Sequence, residues 1–329
     1  MKKYGYLAGG VALALLAFVV WRCTADSAHP VRVQLTPGPS QPRVSPGEAG
    51  MDPAGLEQAV VYAGARNTRA LVVGRGGHIV FEKYWGDTTF DTSVELSGFT
   101  PVLAALGVGS ALNDRLIVNL DAPVANYLPD AAAATTLRAL LAQEDGDVAT
   151  NANLVARVLE KVTKQTFDVI VVERLWKPME GGDFTLARDG AAPTAAVRAD
   201  CCMRARIGDW MRLGELLANN GIFEGNEFTP PQYVKLMLTP THKESPVGYF
   251  TRVDGAFAAH DVARLEAAGK QRLWIVPSLK LVILRVGDEP PESQGWDEAM
   301  IPDSIIRNVS GWQPGTVGEG VDPSKFAPH

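Results

Sequence analysis

Apolar runs separated by turn residues predict antiparallel strands near both ends of the chain. Residues 70–85, ALVVGRGGHIVFEKYW, contain two such runs around a glycine-rich turn, and residues 271–286 contain two more around Pro277. Both segments have the pattern of a β-hairpin. Because helical spacing lies between them, we expect one sheet that is assembled from distant parts of the chain, together with a helical lobe.

Helical spacing of apolar residues dominates the rest of the sequence. Asp52 followed by Pro53 is a typical helix start, since the carboxylate can accept a backbone hydrogen bond and proline suits the first turn. Residues 100–112 are apolar on nearly every face, which predicts a helix buried in the core. Further helices are expected within residues 120–240 and over about 298–309. The fold class is therefore α+β, an antiparallel sheet flanked by helices plus a helical lobe.

The N-terminal segment predicts one transmembrane helix before this domain. Residues 4–21 carry no charge, while Lys2 and Lys3 precede them and Arg22 follows. A helix of this length spans about 27 Å, near the lower limit for crossing a bilayer core. The basic residues place the N-terminus in the cytoplasm. We therefore predict a single-pass anchor over residues 1–23 in the inner membrane and a globular domain in the periplasm.

Two alternatives for this segment involve cleavage. A signal peptide has a shorter apolar core and small residues at its cleavage site. A lipoprotein signal needs small residues directly before its cysteine, but Trp21 and Arg22 precede Cys23. Residues 24–50 are rich in proline, serine and glycine, which predicts a semi-rigid tether. The expected globular domain then covers 51–310, and a tail covers 311–329.

Composition and charge exclude several functional classes. The chain has 329 residues and a formal net charge of −6, and its only cluster of basic residues is Lys2 and Lys3. Nucleic-acid binding needs a concentrated basic surface, so no nucleic-acid partner is expected. No phosphate-binding or dinucleotide motif and no spacing of metal ligands occurs, so we expect no cofactor and no metal. Cys201 and Cys202 are adjacent, which favours core packing, with a vicinal disulfide as the alternative.

Six stretches of the chain resemble the serine β-lactamase-like, penicillin-recognising hydrolases. LIVNLDAPVANYLPD, for example, is similar to their G-x-I-x-L-D-x-P-V-x-x-Y-L-P-E segment, and the branch that it resembles most is that of the esterases and 6-aminohexanoate-dimer hydrolases. The resemblance implies a β-lactamase-like fold over about residues 50–310. The matching stretches are 50–86, 116–130, 136–146, 151–179, 206–225 and 271–287.

The resemblance also implies a catalytic serine three residues before a lysine, on the helix near residue 100. On one helical face the amine can deprotonate the hydroxyl. Aligning Gly98, Phe99 and Thr100 with the family's S-F-T puts Val94 at the serine position and Ser97 at the lysine position. No Ser-x-x-Lys sequence occurs in the chain. The nucleophile and its base are therefore both missing from the expected positions.

Two further catalytic elements of the family differ in this sequence. Aligning Asn151 and Asn153 with the family's Y-S-N-x-N puts Ala149 at the tyrosine position. The strand that supplies a Lys-Thr-Gly or His-x-Gly element resembles residues 256–276, but seven extra residues, DVARLEA, follow His260. His260 is therefore a candidate pocket residue, and a surface or core position is the alternative.

These departures predict a pseudoenzyme without catalytic residues. Retention of the scaffold and of a membrane anchor predicts an accessory or stabilising subunit of a membrane protein complex. The vestigial pocket would contain Val94, Ser97, Ala149, Asn151 and His260.

The alternative function is an active serine hydrolase on small esters, amides or cell-wall peptides. It would need an unusual constellation such as Ser97, Glu95 and His260. Residues two apart on a helix point to different faces, so Glu95 and Ser97 are not expected to meet. A helix-entry cap is therefore the expected role of the Ser97 hydroxyl.

Overall fold

The computed structural model describes residues 30–313 except 133, 145 and 244. Within this part the chain forms strands and helices in an α+β arrangement. The strands are β1 Val31–Val33, β2 Thr68–Arg75, β3 His78–Tyr84, β4 Ser93–Glu95, β5 Phe184–Leu186, β6 Arg204–Arg206, β7 Ile222–Phe223, β8 Asn226–Glu227, β9 Ala263–Ala267, β10 Gln271–Val276 and β11 Leu281–Gly287. The helices are α1 Pro53–Gly64, α2 Thr100–Asn113, α3 Leu137–Leu141, α4 Val148–Thr163, α5 Phe167–Val171, α6 Ile207–Ala218, α7 Pro231–Met237 and α8 Met300–Ile306.

The main sheet is antiparallel and has the order β3-β2-β11-β10-β9. The hairpins β2-β3 and β10-β11 confirm the two hairpins that the sequence predicts. Strand β2 from the N-terminal half pairs with β11 from the C-terminal half, with Val72 opposite Leu284. The sheet is therefore assembled from both ends of the chain, as expected, and β9 forms one of its edges.

The two faces of the main sheet pack against different helices. Leu71 and Val73 point towards α1 and α8, whereas Ala70 and Val72 point towards the helical lobe. Successive residues of a strand face opposite sides of its sheet. All four side chains are nevertheless fully buried, because both faces are covered. The sheet is thus the middle layer, with helices on both faces.

Helix α2 crosses the larger core, as its uniformly apolar sequence predicts. Every residue from Thr100 to Leu112 is buried. The absence of a side chain at Gly109 allows a neighbouring element to approach α2, since a Cβ there would lie 2.9 Å from a ring carbon of Tyr233. The Tyr233 hydroxyl donates a 2.9 Å hydrogen bond to the Ala105 carbonyl oxygen. The middle of α2 is therefore held by a buried neighbour.

A second, four-stranded sheet has the order β1-β5-β6-β4 and includes part of the expected tether. Strand β1 pairs with β5, with Val31 opposite Leu186. Further along, the backbone of Arg43 forms a parallel bridge with Ile79 of β3. This finding corrects the expectation of a tether for residues 30–50. We call residues 30–44 the arm.

The arm is held by its carbonyl groups as well as by its side chains. The Pro42 carbonyl oxygen accepts a 2.8 Å hydrogen bond from the Ile79 amide, and the Pro39 carbonyl oxygen accepts one from Arg212. Arg43 forms a bidentate ion pair with Glu82, at 2.7 and 3.2 Å. A proline-rich composition removes N–H donors but leaves every carbonyl available as an acceptor. Composition alone therefore did not distinguish a docked segment from a free one.

No helix between residues 30 and 313 that the structure describes is long and apolar enough to cross a membrane. The predicted anchor, residues 1–23, lies outside the described residues, and so do residues 24–29 of the expected tether and residues 314–329 of the expected tail.

Candidate functional site

The candidate site lies where the chain passes from β4 into α2. Residues 93–95 form a strand, and a 3₁₀ turn over Ser97–Phe99 leads into the helix. Val94 pairs with Ala205 of β6, and only 3% of its surface is exposed. The position that the resemblance assigns to a nucleophile is therefore a core position on a strand, six residues before the first residue of α2.

Ser97 and Glu95 lie side by side, contrary to our expectation. The Ser97 hydroxyl donates a 2.7 Å hydrogen bond to a carboxylate oxygen of Glu95, and it does not cap a helix. The reason is local: Glu95 ends strand β4 and Ser97 begins the following 3₁₀ turn, so the divergence expected of residues two apart on a helix does not apply. Glu95 also lies near Arg204 of β6, with 3.7 Å between the carboxylate oxygen and the guanidinium nitrogen. Two members of the hypothetical constellation thus meet in a partly exposed polar row.

The turn before α2 packs directly against the edge strand β9. A Cβ added to Gly98 would overlap the carbonyl oxygen of Glu266 and would lie 3.0 Å from its carbonyl carbon and 3.3 Å from the Cα of Ala267. Further along the same edge, Arg252 and Arg264 exchange two backbone hydrogen bonds, of 2.9 and 2.8 Å. The outer edge of β9 is therefore covered by the chain itself at both places.

A buried arginine fixes the end of β9 that contacts this turn. Arg285 on β11 is fully buried and donates hydrogen bonds to the carbonyl oxygens of Gly269 and Lys270, at 2.7 and 2.8 Å. Its Nε donates to the Thr68 hydroxyl at 2.9 Å. Burial lowers the pKa of Arg285 to about 10, so the side chain still carries its charge at neutral pH. The β9-β10 turn is thereby tied to the centre of the sheet.

Ala149 and Asn151 lie in the first turn of α4 but in different surroundings. Asp147 caps this helix, since its carboxylate accepts a 2.9 Å hydrogen bond from the Thr150 amide. Ala149 is exposed, whereas Asn151 is 2% exposed. The Nδ2 of Asn151 is buried and has no hydrogen-bond partner among the described residues. The structure thus buries the asparagine and leaves a methyl group at the expected tyrosine position.

Asn153, one turn further on, connects α4 to the segment that leads into β6. Its Nδ2 donates a 2.9 Å hydrogen bond to the Asp200 carboxylate, and its Oδ1 accepts one of 2.9 Å from the Ala199 amide. Arg198 also binds Asp200, at 2.6 and 3.1 Å. Burial by itself would raise the pKa of Asp200, but the hydrogen bonds from Arg198 and Asn153 outweigh it and hold the pKa below its ordinary value.

Cys201 and Cys202 form a vicinal disulfide directly after Asp200. The sequence favoured core packing for these residues, but both are half-buried and the alternative is what the structure shows. The next residue, Met203, contacts the candidate site: its amide donates to the Thr100 hydroxyl at 3.3 Å, and its carbonyl oxygen accepts from the Leu96 amide at 3.2 Å. Adjacent cysteines are the only sequence signal for this feature.

His260 is not brought to the other candidate residues. It is exposed and precedes β9, and the neighbouring Asp261 carboxylate accepts hydrogen bonds of 2.6 and 2.8 Å from Ser278 at the β10-β11 turn. Gly98 contacts the opposite end of β9, near Glu266. The strand positions from 263 to 266 alone span about 10 Å. Val94 and Ser97 therefore lie close in sequence in the segment before α2, one buried on β4 and one partly exposed in the turn, whereas His260 lies at the other end of β9.

The described residues offer no cluster of three or more histidine, cysteine, aspartate or glutamate side chains that could hold a metal ion. In the same part of the chain, the hydrogen-bond partner of the Ser97 hydroxyl is a carboxylate. A carboxylate is a much weaker base than the amine or imidazole that activates serine in acyl transfer. The arrangement as it stands can bind polar groups, but it contains no activated nucleophile at Ser97.

The fold defined by this sheet, its helices and the position of α2 is that of the serine β-lactamase-like hydrolases. A Bacillus anthracis protein assigned as a 6-aminohexanoate-dimer hydrolase matches with a TM-score of 0.66 and 14% identity over 81% of this chain and 87% of its own. A Bacteroides dorei protein assigned as a β-lactamase matches with a TM-score of 0.60 and 17% identity over 78% of this chain and 95% of its own. A family VIII carboxylesterase matches with a TM-score of 0.59 and 12% identity over 79% of this chain and 99% of its own.

These similarities show the fold and confirm the resemblance seen in the sequence. No protein-family model and no curated protein sequence matches the chain.

Two features of the site were missed by sequence reasoning. The contact between Gly98 and Glu266 joins residues far apart in the sequence, and its only local signal is a glycine where the family's S-F-T has serine. The pairing of Ser97 with Glu95 was missed because helical geometry was assumed between these two residues, whereas Glu95 ends a strand.

Proposed function

We propose that this protein is a catalytically silent member of the β-lactamase-like fold that acts through binding. The observation that carries the proposal is the contact of Gly98 with the Glu266 carbonyl group, beside a nucleophile position that is occupied by the buried Val94. Acyl transfer needs a space about 3 Å from both a nucleophile and oxyanion donors, in which the reacting carbonyl group can sit. Backbone packed against backbone leaves no such space between this turn and β9.

The proposal extends to the membrane. Residues 1–23 act as the anchor, and the domain lies in the periplasm as an accessory or stabilising subunit of a membrane protein complex. The docked arm supports a short connection, because β1 begins at Val31. Residues 24–30 then form the whole linker, and seven residues reach at most about 25 Å. The domain would therefore stay close to the bilayer surface, within reach of a membrane-embedded partner.

A covalent labelling experiment tests the lack of catalysis. The full chain in mild detergent is incubated with a fluorophosphonate probe and with a fluorescent penicillin, and an active serine hydrolase serves as the positive control. We expect no label on the wild-type chain, because within the described part of the chain the Ser97 hydroxyl is hydrogen-bonded to a carboxylate, which is too weak a base to activate it. The Ser97→Ala variant is the matched control. Labelling of the wild type that Ser97→Ala abolishes would overturn the proposal.

The alternative, an active hydrolase, has one observation in its favour, the exposed polar row that contains Ser97, Glu95 and Arg204. The same labelling experiment decides between the two functions. Turnover of small esters, amides or peptidoglycan fragments by the wild type would support the alternative if Ser97→Ala removed it.

The partner proposal needs a separate test. The tagged full chain is purified from its native membranes in mild detergent, next to a variant that lacks residues 1–23. We expect the full chain to copurify with at least one other membrane protein in a fixed ratio. The shortened variant should be absent from the membrane fraction and should not copurify with that protein. Recovery of the full chain only as a lone monomer would count against a complex.

A further inference from the structure

The vicinal disulfide occupies a position between two fixed points. On one side, Asp200 is held by Asn153 and Arg198. On the other side, Met203 is hydrogen-bonded to the residues at the entry of α2, through the Leu96 amide and the Thr100 hydroxyl. Any change in the backbone of residues 201 and 202 must therefore be taken up by one of these two attachments.

The backbone at the disulfide is strained. Cys202 has a φ of +72°, in the left-handed region that residues other than glycine rarely adopt. The small ring formed by two bonded neighbouring cysteines keeps the backbone in a restricted conformation, and ring opening removes that restriction. The chain then enters β6, whose Arg204 and Ala205 pair with Glu95 and Val94 of β4. The disulfide thus sets the direction in which the chain approaches the candidate site.

The disulfide also lies at a partly exposed position. Both cysteines are half-buried rather than enclosed in the core. Thiol–disulfide exchange requires that a thiolate reaches one of the two sulfurs. Structural disulfides that only staple a domain usually close long loops, whereas a bond between neighbours closes almost none and adds little by restricting the unfolded chain. Stabilisation of the folded domain is therefore not its expected role, and its position next to the entry of α2 suggests a role at that turn.

We propose that Cys201–Cys202 is a redox modification site that controls the entry turn of α2. A dithiol reductant attacks one sulfur, the S–S bond breaks and a mixed disulfide forms. The second thiol of the reductant then resolves this intermediate. The products are the oxidised reductant and two cysteine thiols, so two electrons and two protons pass to the protein.

Reduction releases Cys202 from its left-handed conformation and loosens the hydrogen bonds of Met203 to Leu96 and Thr100. The turn that contains Gly98 can then separate from Glu266, which uncovers the outer edge of β9. An exposed strand edge binds an extended peptide through its backbone groups. The oxidised and reduced forms would therefore present different surfaces. The inference does not depend on whether the protein is catalytically silent.

Peptide mapping tests the chemistry. The full chain in detergent is alkylated with and without prior dithiothreitol and is then digested with trypsin, which releases residues 199–204 and 23–32 as separate peptides. We expect the 199–204 peptide to be alkylated only after reduction. Free thiols in this peptide before reduction, after preparation in air, would overturn the proposal, and so would a bond that dithiothreitol cannot reduce in the folded protein.

Amide hydrogen exchange tests the consequence. We expect reduction to speed exchange of the Leu96 amide about tenfold, because its acceptor is the Met203 carbonyl oxygen, and to leave the amide of Leu284 in the centre of the main sheet unchanged. The double variant Cys201→Ser, Cys202→Ser should exchange like the reduced protein, with Cys23→Ser as the matched control. If the double variant does not fold, reduced wild type still supplies the comparison. Equal exchange at Leu96 in both redox states would refute the proposal.

Discussion

Gly98 and Glu266, which are separated by more than half of the chain, meet so closely that only glycine fits at position 98. The contact joins the turn before α2 to the edge strand β9. In this fold the same two elements face each other across the candidate site. Their direct packing is the observation on which the proposal of binding rather than acyl transfer rests.

Substitution of Gly98 by alanine should lower the free energy of unfolding by about 2 kcal/mol or more. The added methyl group would overlap a backbone carbonyl group, which cannot rotate away as a flexible side chain can. Urea unfolding followed by circular dichroism measures the change. Gly47→Ala is the matched control, because a Cβ there meets nothing within 4 Å. A Gly98→Ala variant as stable as this control would contradict the described contact.

Restoring the family's residue types at two positions should not restore activity. In the double variant Val94→Ser, Ser97→Lys, the serine replaces a core residue of β4 and the lysine stands next to Glu95. Positions three apart share a face on a helix, but here Val94 is buried on strand β4 and Ser97 is partly exposed in the turn that follows it. The amine is therefore not directed at the hydroxyl, and we expect no labelling by a fluorescent penicillin.

The single variants separate folding from chemistry in that experiment. Val94→Ser should cost about 2 kcal/mol of unfolding free energy, since it removes buried apolar surface and buries a hydroxyl. Ser97→Lys, at a partly exposed position, should cost much less. Stoichiometric labelling of the double variant would mean that residues 93–97 can rewind into a helical turn.

The stability of the domain should depend on Asp200 in acid. Its folded-state pKa lies below the ordinary value for aspartate, about 3.9. The stabilisation from its charge is therefore complete above about pH 4 and is lost as the pH falls through the lower folded-state value. Asp200→Asn should have a lower free energy of unfolding than wild type from about pH 5 to 7. This difference in free energy, the gap, should narrow below about pH 4.

Urea unfolding at a series of pH values measures that gap. Asp87→Asn provides the control, since Asp87 is exposed and has no ion pair or hydrogen bond among the described residues. A gap that stayed constant down to pH 2 would show that the Asp200 charge does not contribute as described.

Arg285→Lys should destabilise the protein by about 3 kcal/mol or more. The lysine keeps a positive charge, but it cannot reproduce the planar set of donors that binds Thr68, Gly269 and Lys270 at once. Thermal unfolding measures the loss, and Arg32→Lys on the exposed surface of β1 is the control. Equal melting temperatures for the two variants would contradict a clamping role for Arg285.

The elements with strong local patterns were predictable from the sequence. The two hairpins, the Asp52 cap and the buried helix α2 follow from periodicity and turn chemistry, and each is present where it was expected. Residues 93–95 were not predictable in the same way. Their strand depends on pairing with β6, more than 100 residues away, and a three-residue segment has too little pattern to show this.

The candidate site was predictable in its composition but not in its geometry. The resemblance to the family puts Val94 at the nucleophile position, which stays a prediction, and the structure adds that this position is buried. The partner of the Ser97 hydroxyl and the separation of His260 from it depend on backbone direction and on which end of β9 faces α2. Such relations between distant segments leave no trace in local periodicity.

The arm also determines where the chain can be cut. Strand β1 covers the edge of β5, and the backbone around Arg43 covers part of the edge of β3. A recombinant fragment that begins at Met51 would leave both edges bare, and uncovered strand edges promote aggregation. A fragment intended to remain monomeric should therefore begin no later than Pro30.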